Sequence, residues 1–452
     1  MNLSQILAIS IFLLMFFFVI RGKLHRYIPA LGAAVAVIVV VFLGTMHSGQ
    51  AVLETLNLQP LLHKSFWLHG HGAVEPSSGI NWQTIIFIAG MMVMVERMAD
   101  TGFFRWMCLF VARLVKYNVL SILVVFMLLS GILSMFIDSI TVLLFLAAVT
   151  IELSRLLKFD PVPVIIAEIF ASNVGGAATM SGDPPNIIIG TSLGYSFSDF
   201  ATNTGPIALI SLLVSMLFFY LVFRKELKAS HASARPIEVY PAPSSAITNR
   251  GHFIISTIIF LIIVILLITH AQTGLSVGLI GVIAAILTLA TSGKSCLYLI
   301  RRLDWKTLLF FIGLFIVVGG LEQTGVLDKV AVFIGDISGG NLPLVISLVL
   351  WLSAFSSAFI DNIPFAATMV PIIRELAITQ GLDMASLSWT LALGTDIGGN
   401  ATPIGASSNV IGTAIAEKEG HKISWGRYMK YAVPATLIIL SLCQAYLMLR
   451  YM

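Results

Sequence analysis

GGAATMSGDPPN at Gly175–Asn186 and GGNATPIGASSN at Gly398–Asn409 stand 223 residues apart, and each interrupts an apolar run that otherwise reads as a helix. Three more blocks share the offset. NWQTIIFIAG at Asn81–Gly90 matches DWKTLLFFIG at Asp304–Gly313, Thr101-Gly102 matches Thr324-Gly325, and the FID of Phe136–Asp138 matches that of Phe359–Asp361. Four blocks at one offset mark an internal duplication. Consecutive glycines unwind a helix cheaply, and paired interruptions at corresponding places point to the ion and substrate site of a secondary transporter.

Composition gives the setting for these repeats. Hydrophobic residues make up 58% of the 452 residues and charged residues 11%, with a mean hydropathy of +0.97, whereas soluble chains carry about 25% charge. Apolar spans fall near residues 3–20, 28–46, 83–98, 204–223, 253–270, 274–292, 306–321 and 430–449. The expected fold is an all-α polytopic membrane protein of two inverted-topology repeats. Each repeat holds scaffold helices, a re-entrant helical hairpin and a broken helix. Residues 1–223 form the first (scaffold 1–100, transport elements 118–192) and 253–452 the second (scaffold 253–321, transport elements 341–416), joined by the polar linker 224–252.

With the N-terminus placed outside, the inner stretches 21–26, 97–116, 155–158, 224–250, 294–306 and 418–430 carry 22 of the 26 Lys and Arg. That bias makes the linker cytoplasmic and the chain a multi-pass protein of the cell (inner) membrane. The first apolar run has no cationic start and no small-residue cleavage site, so it reads as an uncleaved span. Cys108, Cys296 and Cys443 are scattered and form neither a disulfide framework nor a zinc pattern. His69 and His71, with His47 and His63 nearby in the outer loop, are a weak metal candidate. Basic residues sit in short loops and make no nucleic-acid face. No P-loop or HExxH occurs, so neither ATP use nor metal-dependent hydrolysis by this chain is expected.

The chemistry falls to two groups of residues. Arms at Asn118–Phe136 and Ile140–Leu157 flank Asp138-Ser139, and arms at Asn341–Phe359 and Phe365–Ile378 flank Asp361-Asn362. Connections this short and apolar read as hairpins whose tips lie inside the protein at membrane depth. Each aspartate is also a good helix N-cap, but a carboxylate in both halves favours an added ionic role. In the broken helices, Ser172, Asn173, Gly175, Thr179, Asp183 and Asn186 correspond to a second set containing Asp396, Gly398, Asn400, Thr402 and Asn409. Freed carbonyls beside these amides and hydroxyls suit a hard cation, and a bound sodium ion is the one such a site would take; close packing of small residues is the competing reading.

Asp138, Asp361, Asp396 and Glu168 are the proton-coupling candidates. No Lys or Arg occurs in 117–154, 159–223, 330–373 or 375–417. A bare carboxylate at mid-bilayer costs at least ~2.5–3.5 kcal/mol, so these groups need a proton, a cation or water. The same inventory offers no fixed cation for a multiply charged anion.

FIDSITVLLFLAAVTIELSRLLKFDPVPVIIAEIFASNVGGAATMSGDPPNIIIG (136–190) and SSAFIDNIPFAATMVPII (356–373) resemble the ion transporter superfamily, in its arsenite-permease and NhaD-type antiporter branch. Within it the chain looks closest to the melanosomal P-protein group, with a citrate-transporter-like domain. The resemblance implies an elevator-type mechanism and a homodimer in the lipid bilayer. It leaves three kinds of transport open: cation antiport, export of a metalloid oxyanion such as arsenite, and carboxylate uptake. The hairpin tips lack the Ser-Asn-Thr of the dicarboxylate carriers. They also lack the Asn-Asp-Gly type usual in arsenite permeases. The expected function is therefore proton- or sodium-coupled cation antiport, with an uncoupled channel of the same architecture as the rival from another class.

Overall fold

The computed structural model describes residues 1–21, 24–68, 79–231 and 240–452, and is all-helical apart from one isolated bridge between Leu68 and Leu275 among the described residues. His69 and His71 lie outside the described residues. Nine described helices are long and apolar enough to cross a membrane. The expected spans appear as Leu3–Arg21, Tyr27–Thr45, Trp82–Asp100, Gly205–His231, Arg250–Thr273, Val277–Ser292, Trp305–Gln323 and Trp425–Tyr451.

Corresponding elements follow in the same order in the two repeats. Trp82–Asp100 and Trp305–Gln323 are capped by Asn81 and Asp304, which accept from the backbone amides of Thr84 and Thr307. Each helix then stops at a left-handed glycine, Gly102 (φ +84°) or Gly325 (φ +71°). The stretch after Gly102, expected as part of an inner loop, is the amphipathic helix Phe103–Leu114, and its counterpart is Val326–Ser338. Hairpins follow: Val119–Ser134 with Ser139–Leu157, and Leu342–Phe359 with Asn362–Gln380. The second arm of the latter begins three residues earlier than expected, because Asp361 caps it and Pro364 fits its first turn. Broken helices complete each half, Val162–Gly176 with Pro184–Leu193, and Met384–Gly398 with Ser407–Lys418.

The halves are interleaved. Trp82–Asp100 of the first packs on Val277–Ser292 of the second, and Trp305–Gln323 packs on Tyr27–Ala36 of the first. Glycines permit the approach: a Cβ on Gly90 would lie 1.9 Å from the carbonyl oxygen of Gly281, and one on Gly313 2.7 Å from the backbone of Ala30. The transport elements cross as well. Ser407–Lys418 packs on Ser139–Leu157, and Pro184–Leu193 packs on Asn362–Gln380. Each broken helix thus lies between its own hairpin and the other half's hairpin.

Candidate functional site

Both hairpin tips reach one cavity of ≈ 510 Å³. Its walls are largely apolar (Phe87, Met91, Phe136, Phe310, Phe359, Val410 among them), and Asp138 and Asp361 lie within it. It reaches the exposed turns that carry His25 and, in the other half, Asp304 and Lys306.

Capping and cavity roles coexist in the two aspartates. Asp138 Oδ1 accepts from the amides of Ile140 (2.9 Å) and Thr141 (3.3 Å), while Oδ2 accepts from the Thr141 hydroxyl (2.5 Å). Asp361 Oδ1 accepts from Ile363 N (3.2 Å), and its Oδ2 from Ser407 Oγ (2.9 Å) and the Arg26 guanidinium. Arg26 also donates to Ser407 (2.9 Å). The expectation that no fixed cation is available is therefore corrected. Arg26 comes from the turn between the first two spans and enters beside the tip. It was counted among the inner-loop charges, and nothing in its local sequence distinguishes it from them. Lys306, Asp304, Thr307 and Ser407 were likewise not expected at the site, although the first three fall inside the repeat block that starts with DWKT and Ser407 inside GGNATPIGASSN.

The broken turns are closed by repeated hydrogen bonds. Asn186 Nδ2 donates to the carbonyls of Gly176 (3.1 Å) and Thr179 (3.2 Å), and Asn409 Nδ2 to those of Gly399 (2.7 Å) and Thr402 (2.8 Å). The hydroxyls of Thr179 and Thr402 donate to the hairpin-tip carbonyls of Met135 and Ala358. The carbonyls of Gly176, Thr179, Gly399 and Thr402 thus each accept a hydrogen bond from within the broken turns. Gly175 and Gly398 press on the hairpin arms: an added Cβ would lie 2.1 Å from Gly131 O and 2.2 Å from Ala354 Cα. Close packing accounts for both. Among the described residues no group of three His, Cys, Asp or Glu is placed to hold a metal ion.

Behind the cavity the two halves join through polar side chains. Asp183 Oδ1 accepts from Ser139 Oγ (2.7 Å) of the first hairpin, and Oδ2 from Asn362 Nδ2 (2.7 Å) of the second. Asn173 donates to Asn400 (2.9 Å) and Asn409 (2.8 Å), and accepts from Ser408 (2.5 Å). Ser172 pairs with Ser134 at 2.7 Å. Asp396, fully buried, interacts with Asp183 and Asn186. Glu168 lies off the cavity, accepts from Thr150 Oγ1 (2.5 Å) and leaves Oε2 without a partner.

At the end of the transport elements away from the cavity, the first half is docked on its scaffold. Asn81 Nδ2 donates to Thr191 Oγ1 (2.7 Å) and Ser192 Oγ (2.9 Å), and Thr84 shares a hydrogen bond with Thr191 (2.9 Å). Arg374 adds a bond to the Ser192 carbonyl (2.8 Å). In the second half the corresponding cap, Asp304, faces the open cavity instead.

The profile of a family described as "Citrate transporter" matches residues 15–394. A transporter of Mycobacterium tuberculosis (Rv2684) is 31% identical over 449 residues, covering 99% of each chain. The human P protein is 29% identical over 452 residues, covering 82% of this chain and 53% of that protein. Among solved structures, the YdaH transporter of Alcanivorax borkumensis matches with a TM-score of 0.57 at 14% identity, over 88% of this chain and 86% of that one. That likeness is one of fold.

Proposed function

The chain belongs to the citrate transporter family and is a membrane transporter, and on that footing we propose that it exchanges a small cation against protons or sodium by an elevator-type movement. The observation that carries this reading is the pair of hairpin-tip carboxylates, Asp138 and Asp361, in one apolar-walled cavity. Arg26 is already committed to Asp361, so the cavity offers a cation Asp138 directly and Asp361 in competition with the guanidinium. An apolar wall strengthens any such charge–charge contact.

The hairpins and broken helices make the moving body in this reading. They are tied to one another by Thr179, Thr402, Asn173 and Asp183, while their polar ties to the scaffold are the Arg26–Asp361 bridge at one end and the Asn81–Thr191–Ser192 contacts at the other. By the charge asymmetry of the loops, the cavity opens to the cytoplasm.

A second reading has a specific observation behind it. Arg26, Lys306 and His25 all line the cavity, and if Arg26 leaves Asp361 it becomes an anchor for a carboxylate, the cargo that the family's description indicates. Purified protein in liposomes with an internal pH dye separates the two. Sodium, lithium, potassium, arsenite and citrate are added in turn. A pH change driven by an alkali cation and lost in Asp138→Asn or Asp361→Asn supports antiport. Silence to cations with a response to citrate or arsenite moves the cargo to the anion side.

A further inference from the structure

The 223-residue repeat pairs Asn173 with Asp396 and Asn409 with Asn186, so the two pairs differ by one amide NH2 replaced with a carboxyl oxygen. In one, the Asn173 amide donates to Asn409 Oδ1 at 2.8 Å. In the other, the donor is replaced by a carboxyl. Asp396 interacts with Asn186, yet both Asn186 amide hydrogens are committed to Gly176 and Thr179. Asn186 Oδ1 and both Asp396 oxygens are left without a hydrogen-bond partner, and both residues are fully buried. Asp183, itself buried, adds a second carboxyl to the same place. This pair therefore holds three buried oxygens without a donor, where the sister pair is joined by an N–H.

Resting on the proton-coupled form of the reading above, we propose that Asp396 is the proton-binding group of the transport cycle, held as a carboxylic acid whose hydrogen is given to Asn186 Oδ1. A proton fits better than a metal ion because the sister pair fills the same gap with a single hydrogen, and the neighbouring backbone carbonyls are already engaged. The acid also removes one of two negative charges that would otherwise adjoin in a dry interior.

Occupancy at Asp396 is passed on by Asp183. Its two oxygens hold Ser139 and Asn362, the residues next to Asp138 and Asp361 in the cavity. Loss of the proton sets Asp396 and Asp183 in repulsion and loosens that hold on both hairpin tips at once. Other charged groups on the helices packed around Asp396 are engaged elsewhere or lie outward. Glu168 is bound by Thr150, Arg374 by the Ser192 carbonyl and Arg427 by Asp160 and Glu226, while Glu375 is half-buried and Lys430 exposed.

Asp396→Asn rebuilds the sister half's amide–amide pair and mimics the protonated state, so it should fold as the parent does. In proteoliposomes, counterflow of radiolabelled sodium or citrate measured at equal pH on both sides should lose its dependence on that pH. Uphill accumulation driven by a pH gradient should be lost. In the infrared, a protonated-carboxyl C=O band present in the parent at neutral pH should vanish in Asp396→Asn and persist in Asp138→Asn. Accumulation that still follows the pH gradient in Asp396→Asn, or an unchanged carboxyl band, overturns the proposal. So does a parent that accumulates cargo with a sodium gradient and ignores pH. A parent that moves neither probe would sink the cargo reading, while the infrared band would still decide the fate of Asp396.

Discussion

Single residues here divide into those that let helices touch and those that meet the cargo, and substitution separates the two. Gly175 and Gly398 have no room for a methyl group, so alanine at either should cost about 1–3 kcal/mol through overpacking, read as a lowered melting temperature in detergent. Gly32, also inside a helix, has nothing within 4 Å of the added carbon; Gly32→Ala should be neutral or stabilise by up to about 1 kcal/mol. Arg26 is the residue on which cargo choice turns. A hydrogen bond to a charged group is worth about 1.5–3 kcal/mol. The Arg26 side chain is 35% exposed and that of Asp361 3%, so about 1–2 kcal/mol is the useful part after solvent screening. Arg26→Gln should therefore raise apparent cation affinity roughly 5- to 30-fold under the antiport reading, and weaken citrate binding under the other; equilibrium binding of each probe to the purified variant shows which. Asp138 and Asp361 were legible in the sequence as lone carboxylates between apolar arms. Arg26 was not, because a charge in a turn is ordinary and only the packing of that turn against the hairpin tip makes it part of the site.

Among the elements, the hairpins and broken helices follow directly from interrupted apolar runs and their repetition. The amphipathic helices Phe103–Leu114 and Val326–Ser338 did not: the first was counted with an inner stretch by its charges, and the second fell between the scaffold and transport elements. What hydropathy cannot supply is which half's helix lies against which. The contact of Asn173 with Asn409, 236 residues on, depends on that crossing alone. The docked end of the first broken helix offers a test of motion between elements. Thr84 and Thr191 bring their hydroxyl oxygens to 2.9 Å, a spacing compatible with a disulfide after paired cysteine substitution. In a background lacking Cys108, Cys296 and Cys443, oxidation of Thr84→Cys/Thr191→Cys should stop transport, and reduction should restore it. Transport that continues at full rate across the cross-link would mean that this interface does not part.

For the whole molecule, orientation rests on charge counting and interleaving on packing. The end of the linker returns to the first half: Tyr117 stacks on Tyr240 with ring centres 4.3 Å apart, and the Thr248 hydroxyl donates to the Asp100 carbonyl at 2.9 Å. Ser245 is exposed beside these contacts, while Leu62, 88% exposed, lies in the loop assigned to the other face. An impermeant thiol reagent applied to whole cells should label Leu62→Cys and spare Ser245→Cys; inverted membrane vesicles should give the opposite result. The reverse pattern would turn the cavity outward without changing any contact described above.

The crossing of the two halves also has a consequence for how the chain is made. Trp82–Asp100 finds its main partner in Val277–Ser292, and Pro184–Leu193 finds one of its own in Asn362–Gln380. When the ribosome completes residue 223, these faces have nothing to close against. The remaining roughly 230 residues take on the order of 10–50 s at about 5–20 residues per second. For that interval a half-built protein carries aspartates and bare glycine faces in the membrane with no matching surface. A quality-control protease or an insertase would meet the first half in this state during every round of synthesis, and a chain truncated after the linker would remain in it.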